Sequence, residues 1–271
     1  MKPLNILAAL GLSTALLATP ALAQRDGIDV GENSVFTRMV SAEQMEAMAQ
    51  QQYRQVLSDA AQQRALAPAD NPQLRRLRAI AARIVPHAVQ WNPRARNWRW
   101  EVNLIGSKQI NAWCMPGGKI AFYTGILDQL KLTDDEAAAV MGHEIAHALR
   151  EHARERAGKN AATNLGANVL SELFGLGALG RTVMGGGVQL LSLSYSRSDE
   201  TEADLVGLEL AARAGYDPRA AVTLWQKMNA ANRGAPPQWF STHPAGQTRI
   251  AEIERNLPKV MPLYERARSG G

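Results

Sequence analysis

Residues His143-Glu144-Ile145-Ala146-His147 constrain this chain more than any other feature. On an α-helix, side chains four apart project from one face, so both imidazoles can grip a single cation. Glu144 sits one step round, where a carboxylate can reach a water held by that cation. Two imidazoles, an open coordination position and a general base are the parts of a hydrolytic metal site. The flanks predict the helix itself. Thr133-Asp134-Asp135-Glu136 has the form of a capping box, with three acids in the first turn where the helix dipole favours negative charge. Positions 137–149 are apolar all round apart from the His-Glu-His triple, the pattern of a buried helix. Buried charged groups need a partner, and a divalent cation is one. The charged run from Arg150 to Arg156 predicts that the helix then emerges into solvent.

A catalytic site of this type needs a third protein ligand. The remaining histidines are His87, His152 and His243. A metzincin site would need Gly at 150 and His at 153; Arg150 and Ala153 exclude it. On a continuous helix His152 points away from His147, so it is expected in solvent. His87 follows Pro86 in a basic stretch and is expected at the surface. A glutamate ligand is therefore expected, from Glu172, Glu200 or Glu202. In Glu200-Thr201-Glu202-Ala203-Asp204 the E-x-x-x-D spacing puts Glu200 and Asp204 on one helix face. Glu200 can then bind the metal while Asp204 accepts the spare N–H of a ligating imidazole. Glu172 lacks such a partner, because position 176 is Leu, and Glu202 points to the other side of its helix.

The start of the chain reads as an export signal over residues 1–23. Lys2 is the positive end, 6–18 the apolar run, and Ala21-Leu22-Ala23 the small-residue site. The apolar run is shorter than a membrane span. This implies a periplasmic location and a single mature domain over 24–271, with an N-terminal arm and helices within 41–87. Cys114 is the sole cysteine, so no intrachain disulfide or Cys-rich zinc site exists; a small buried hydrophobe is expected there. Net charge is +5, and arginine runs such as Arg75-Arg76-Leu77-Arg78 carry no aromatic interleaving. Nucleic acid is not an expected partner.

Residues 24–40 read as a loose arm. Helical periodicity predicts helices over 41–66 and 71–87. Alternation predicts strands over 98–104, 109–115 and 119–123, the last two joined by Pro116-Gly117-Gly118. Further helices are expected over 198–214, 218–231 and 245–257. The apolar stretches 164–179 and 188–193, split by glycines near Gly185, are expected to be buried or lid-like.

Together, Asn111-Ala112-Trp113 with Pro116-Gly117-Gly118, then HEIAH, then Ser196-Arg197 leading to Glu200–Asp204 and Gly207, and finally Ser241-Thr242-His243-Pro244 with Arg249, resemble the HtpX/BepA type of zinc metallopeptidase, peptidase family forty-eight. The resemblance covers about 109–250 and implies its soluble periplasmic branch; too little follows for a tetratricopeptide tail. It implies an α+β, mostly helical fold: a compact zincin-like (gluzincin) core with a small antiparallel sheet beside the HEIAH helix. It further implies one Zn2+ per chain on His143, His147 and Glu200, with Asp204 behind a ligand.

The expected reaction is peptide-bond hydrolysis with Glu144 as base. His243 or Arg249 would supply an oxyanion donor, or His243 would gate the fourth metal position. An extended peptide would add to the strand edge at Asn111, Ala112 and Trp113. The expected partners are unfolded or misassembled envelope proteins, with peripheral contact to a membrane or to outer-membrane assembly machinery. The competing function is a chaperone or assembly factor whose zinc closes the site.

Overall fold

The computed structural model describes residues 26–163, 190, 194–232, 238–244 and 248–270. The export-signal segment, most of the apolar stretches 164–179 and 188–193, and the glycines near Gly185 lie outside the described residues. The cap read from sequence at Thr133 is present, and three other helices start on side-chain caps. Ser41 caps α1 (Ala42–Gln62), and Asn71 caps α2 (Pro72–Ile84), where Pro72 occupies the first turn. Thr133 and Glu136 complete the capping box of α4 (Asp134–Leu149). Before it lie three strands and the short helix α3 (Thr124–Leu130). After it come α5 (His152–Thr163), α6 (Arg197–Arg213), α7 (Ala220–Ala231), a single turn α8 (Trp239–Thr242) and α9 (Arg249–Ser269). Helix α6 also begins with a capping box, Ser196 with Asp199.

Strands β1 (Glu101–Ile105), β2 (Ala112–Met115) and β3 (Lys119–Tyr123) form one sheet in the order β1-β3-β2. The expected antiparallel sheet is in fact mixed. β2 and β3 are an antiparallel hairpin, but β1 lies on the far edge of β3 and runs parallel to it. Local alternation shows that a segment is a strand, not which neighbour it pairs with. Gly118 closes the hairpin at φ +76, and a Cβ there would stand 2.7 Å from the Trp100 ring. A side chain is excluded both by the backbone and by that contact.

Alternation sorts the sheet between two layers. Val102, Leu104, Ala112, Cys114, Ile120 and Phe122 face the main core with α2, α4 and α6. Trp113, Met115 and Ala121 face α1, where Tyr53 is fully buried and its hydroxyl donates to Ile120 O at 3.2 Å. Helix α4 is buried from Glu136 to Leu149, as its composition requires. Its closest partner is α6, and Gly142 and Gly207 let the two backbones touch.

Three expectations are corrected. The helix does not run into solvent after Leu149. Glu151 takes a left-handed conformation at φ +57, the helix breaks, and α5 restarts at a buried His152. The arm is not loose: Ile28 is buried, its N–H donates to Glu209 at 2.7 Å, and residues 35–39 form a 3-10 turn packed against α5. Asp26 pairs with Arg213 at 3.0 Å and with Arg266 near the end of α9. Finally, α9 begins later than expected and runs on through Pro258 and Pro262, with Val260 and Leu263 buried beneath it. Among the described residues, no helix is long and apolar enough to cross a membrane.

Candidate metal centre

His143 and His147 leave α4 one turn apart on the face that meets α6 and the sheet. Their Nε2 atoms stand 3.1 Å from one another. Glu200, in the first turn of α6, places Oε1 3.4 Å from His147 Nε2 and Oε2 3.7 Å from His143 Nε2. His243, following the single turn α8, brings Nδ1 to 2.9 Å from Glu200 Oε1. One ligand atom from each of these four buried residues lies within 4.8 Å of the others. Three of the four were expected from sequence as ligands, and His243 as a gate or an oxyanion donor.

The donor set fits a divalent metal. Burial holds His147 well below the usual histidine range and His243 down to about 4. Both are therefore neutral near pH 7, the form that coordinates metal. Two neutral imidazoles and a carboxylate facing one another want a cation between them. His143 Nδ1 is 3.0 Å from Asp204 Oδ1, so its N–H is spent there and its Nε2 lone pair points into the cluster. Burial would raise Asp204, but the Arg249 guanidinium and the His143 ring together outweigh it and hold the carboxyl below its ordinary value.

Glu144 stands beside the cluster, outside the ligand set. Its Oε1 accepts no hydrogen bond and faces His243 Nε2 at 3.5 Å. Burial, reinforced by the charge of Glu200, pushes its carboxyl well above the usual range. Arg249 lies where sequence did not place it. Its Nε and Nη2 hold Asp204 at 2.6 and 2.7 Å, Nη1 holds Glu200, and the guanidinium lies 3.6 Å above the Trp225 ring. Its nitrogens thus tie the Asp204 and Glu200 carboxylates together.

Asn111, Ala112 and Trp113 line one small cavity together with Cys114, Glu144, Tyr195 and His243. The hairpin, Glu144 and His243 therefore share a cleft. The cavity encloses about 30 Å³, room for a water or two rather than a peptide. Its roof includes Leu190, buried against the α1 side of the sheet, and Tyr195, stacked on His147 with ring centroids 3.9 Å apart.

His152 is the clearest miss. It was expected in solvent but is buried, with Nδ1 2.9 Å from His147 Nδ1 and Nε2 3.2 Å from Glu202. Tyr195, Trp225 and Trp239, which stacks on His243 at 4.4 Å, were also missed. No spacing in the sequence signals them, because they come from loops or other helices. His87 is half-buried, and Glu202 lies outside the four-residue cluster, on Arg150 and His152.

The sequence profile described as "Peptidase family M48" matches residues 71–257. The chain belongs to peptidase family M48. The Schizosaccharomyces pombe protein named mitochondrial metalloendopeptidase OMA1 is 33% identical over 229 residues, 83% of this chain and 65% of that protein. Metalloprotease LoiP of Escherichia coli K12 is 26% identical over 259 residues, covering 95% of this chain and 98% of LoiP. The beta-barrel assembly-enhancing protease of Escherichia coli O157:H7 is 30% identical over 174 residues, 59% of this chain and 35% of that protein. Against the OMA1 proteins of Arabidopsis thaliana and Schizosaccharomyces pombe the chain spans 35% and 65% of their length.

Proposed function

We propose that this chain is a zinc-dependent endopeptidase acting on unfolded or misassembled proteins of the bacterial envelope. The observation that carries the reading is the convergence of four buried donor atoms within 4.8 Å beside a carboxylate with an unsatisfied oxygen. His143, His147 and Glu200 would hold the zinc, and Asp204 with Arg249 would orient them. Bound zinc supplies Lewis acidity and lowers the pKa of a coordinated water. Glu144, pushed up by burial, takes a proton readily and is placed to return it to the leaving amine. β2 is an edge strand whose free side lines the cleft, so an extended peptide can add there through main-chain hydrogen bonds. Such binding selects extended, unfolded chains over any particular sequence. Because the cavity is so small, access requires movement of Leu190, Tyr195 or His243.

Export to the periplasm is supported by the signal pattern over 1–23. The name beta-barrel assembly-enhancing protease supports contact with outer-membrane assembly machinery, whereas the OMA1 names carry a mitochondrial address. Fractionation with N-terminal sequencing of the mature chain distinguishes the two. The second reading, a chaperone with a zinc-closed site, is favoured by one observation: His243 offers a fourth donor that would complete a closed set.

The test is digestion of casein by the purified chain, with and without chelator, in wild type and Glu144→Gln. The expected result is one zinc per chain in both proteins, with activity lost to chelator and reduced about 10²–10⁴-fold in Glu144→Gln. Undiminished activity in that variant would remove Glu144 as base. Zinc retention without any proteolysis would favour the chaperone reading. His243→Ala discriminates further: a gate predicts higher basal activity, an oxyanion donor a loss of about 10²-fold or more.

A further inference from the structure

His147 has a partner arrangement of its own, distinct from the Asp204–Arg249 pair behind His143. The break at Glu151 turns the chain so that His152, at the start of α5, packs its ring against the back of His147. The two Nδ1 atoms lie 2.9 Å apart, a distance at which one must donate and the other accept. The far nitrogen of His152, Nε2, lies 3.2 Å from Glu202 Oε2. Arg150 donates from Nε to the other oxygen of Glu202, and from Nη2 to Gly31 O at 2.9 Å. Arg150 is itself buried.

We infer that Arg150, Glu202 and His152 form a positioning chain that fixes the tautomer of His147. This rests on the metal-site reading above. A carboxylate can only accept, and Glu202 already accepts from Arg150 on its other oxygen. With a single ring proton, His152 carries it on Nε2, toward Glu202. Its Nδ1 is then a bare lone pair and takes the proton of His147 Nδ1–H. That leaves His147 Nε2 unprotonated and aimed at His143 and Glu200, as a ligand must be. The reverse arrangement would set the Nε2 lone pair of His152 against the Glu202 carboxylate. His143 is held by arginine and carboxylate directly; His147 is held by arginine and carboxylate through one more imidazole. Because Gly31 anchors Arg150, the N-terminal arm is the outer end of the chain.

Two measurements on the full chain test this. The first is the tautomer of His147 in metal-free protein, read from ¹⁵N-histidine spectra that couple ring nitrogens to carbon-bound protons. The inference requires Nδ1–H with bare Nε2; a predominant Nε2–H form overturns it, whether or not zinc binds. The second is zinc affinity, by competition with a chromophoric chelator. His152→Leu, which removes the acceptor, is expected to weaken binding about 10–100-fold. His152→Gln, whose amide oxygen can take the same proton, should recover most of that loss, and Glu202→Ala should resemble His152→Leu. Affinity within two-fold of wild type in His152→Leu overturns the inference, as does an equal loss in Leu and Gln, which would mean packing alone. If His152→Leu does not fold, Glu202→Ala and the wild-type tautomer still decide. Failure of wild type to bind zinc would instead strike the metal-site reading.

Discussion

The two walls of the cleft are held in different ways. On the metal side, α4 and α6 meet backbone to backbone: a Cβ on Gly142 would stand 2.7 Å from Gly207 O, and one on Gly207 2.6 Å from His143 N. On the other side, β2 is a four-residue edge strand supported from α1 by side chains, with Tyr53 and Trp113 edge to face at 5.8 Å. Backbone contacts leave nothing to repack, whereas side-chain contacts can yield by a rotamer. The chemistry is thus built on the wall that cannot adjust, and the proposed peptide edge on the wall that can. The proposed action on many unfolded chains would use that division.

The contrast can be broken most severely at Gly207. Gly207→Val should destabilise the protein by about 4 kcal/mol or more, at the upper end of overpacking effects, and abolish zinc binding. Denaturant unfolding and metal content measure both. A native midpoint with full zinc would show that the helix pair does not depend on the glycine contact. Next, Asp204→Asn should cost about 3 kcal/mol in the metal-free protein, because it leaves Arg249 buried with half its partners. The pH dependence has a defined sign. Asp204 is held below its ordinary value in the fold, so the unfolded chain takes up that proton first as pH falls. The contribution is complete above about pH 4 and is lost below it. Urea midpoints at pH 6, 4 and 3 should therefore converge for wild type and variant; a constant gap would assign the cost to something other than the charge.

The sheet wall should respond more gently. Tyr53→Phe removes a hydroxyl that donates to Ile120 O and accepts from Asn103 at 2.8 Å, and should cost about 1 kcal/mol with zinc affinity unchanged. A parallel loss of zinc would mean that the two walls are coupled. The smallest effect is expected at the margin. Glu101→Gln weakens the pair with buried Lys119 at 2.7 Å, but Glu101 is 43% exposed. It should cost about 0.5 kcal/mol, less at high salt. A larger, salt-independent cost would make that pair part of the core.

What the sequence made legible follows the same division. The α4 cap, its all-round burial and the E-x-x-x-D face of α6 were readable because each depends on neighbours within one helix. His152 was not, because its position depends on the left-handed Glu151, and an acidic residue in a charged run carries no mark of that conformation. The parallel placement of β1 was hidden because it is decided by the path of 106–111 rather than by the strand's own pattern. Arg249 was read as a candidate oxyanion donor; only the fold shows two carboxylates converging on it. Gly142 and Gly207 did carry a signal, since glycine inside an apolar helix costs about 1 kcal/mol against alanine and so marks a close approach. Nothing in either helix named the other as its partner.

The ion pairs of Asp26 with Arg213 and with Arg266 set the first and last described segments side by side. In terms of connectivity, the order of elements along the chain is therefore separable from their arrangement in space. A circular permutant could join the end of α9 to residue 26 by a short flexible linker and open at the exposed turn between Ala69 and Asp70. Such a chain would begin beside Asn71, where the family match begins, and would carry the arm and α1 as its final segment.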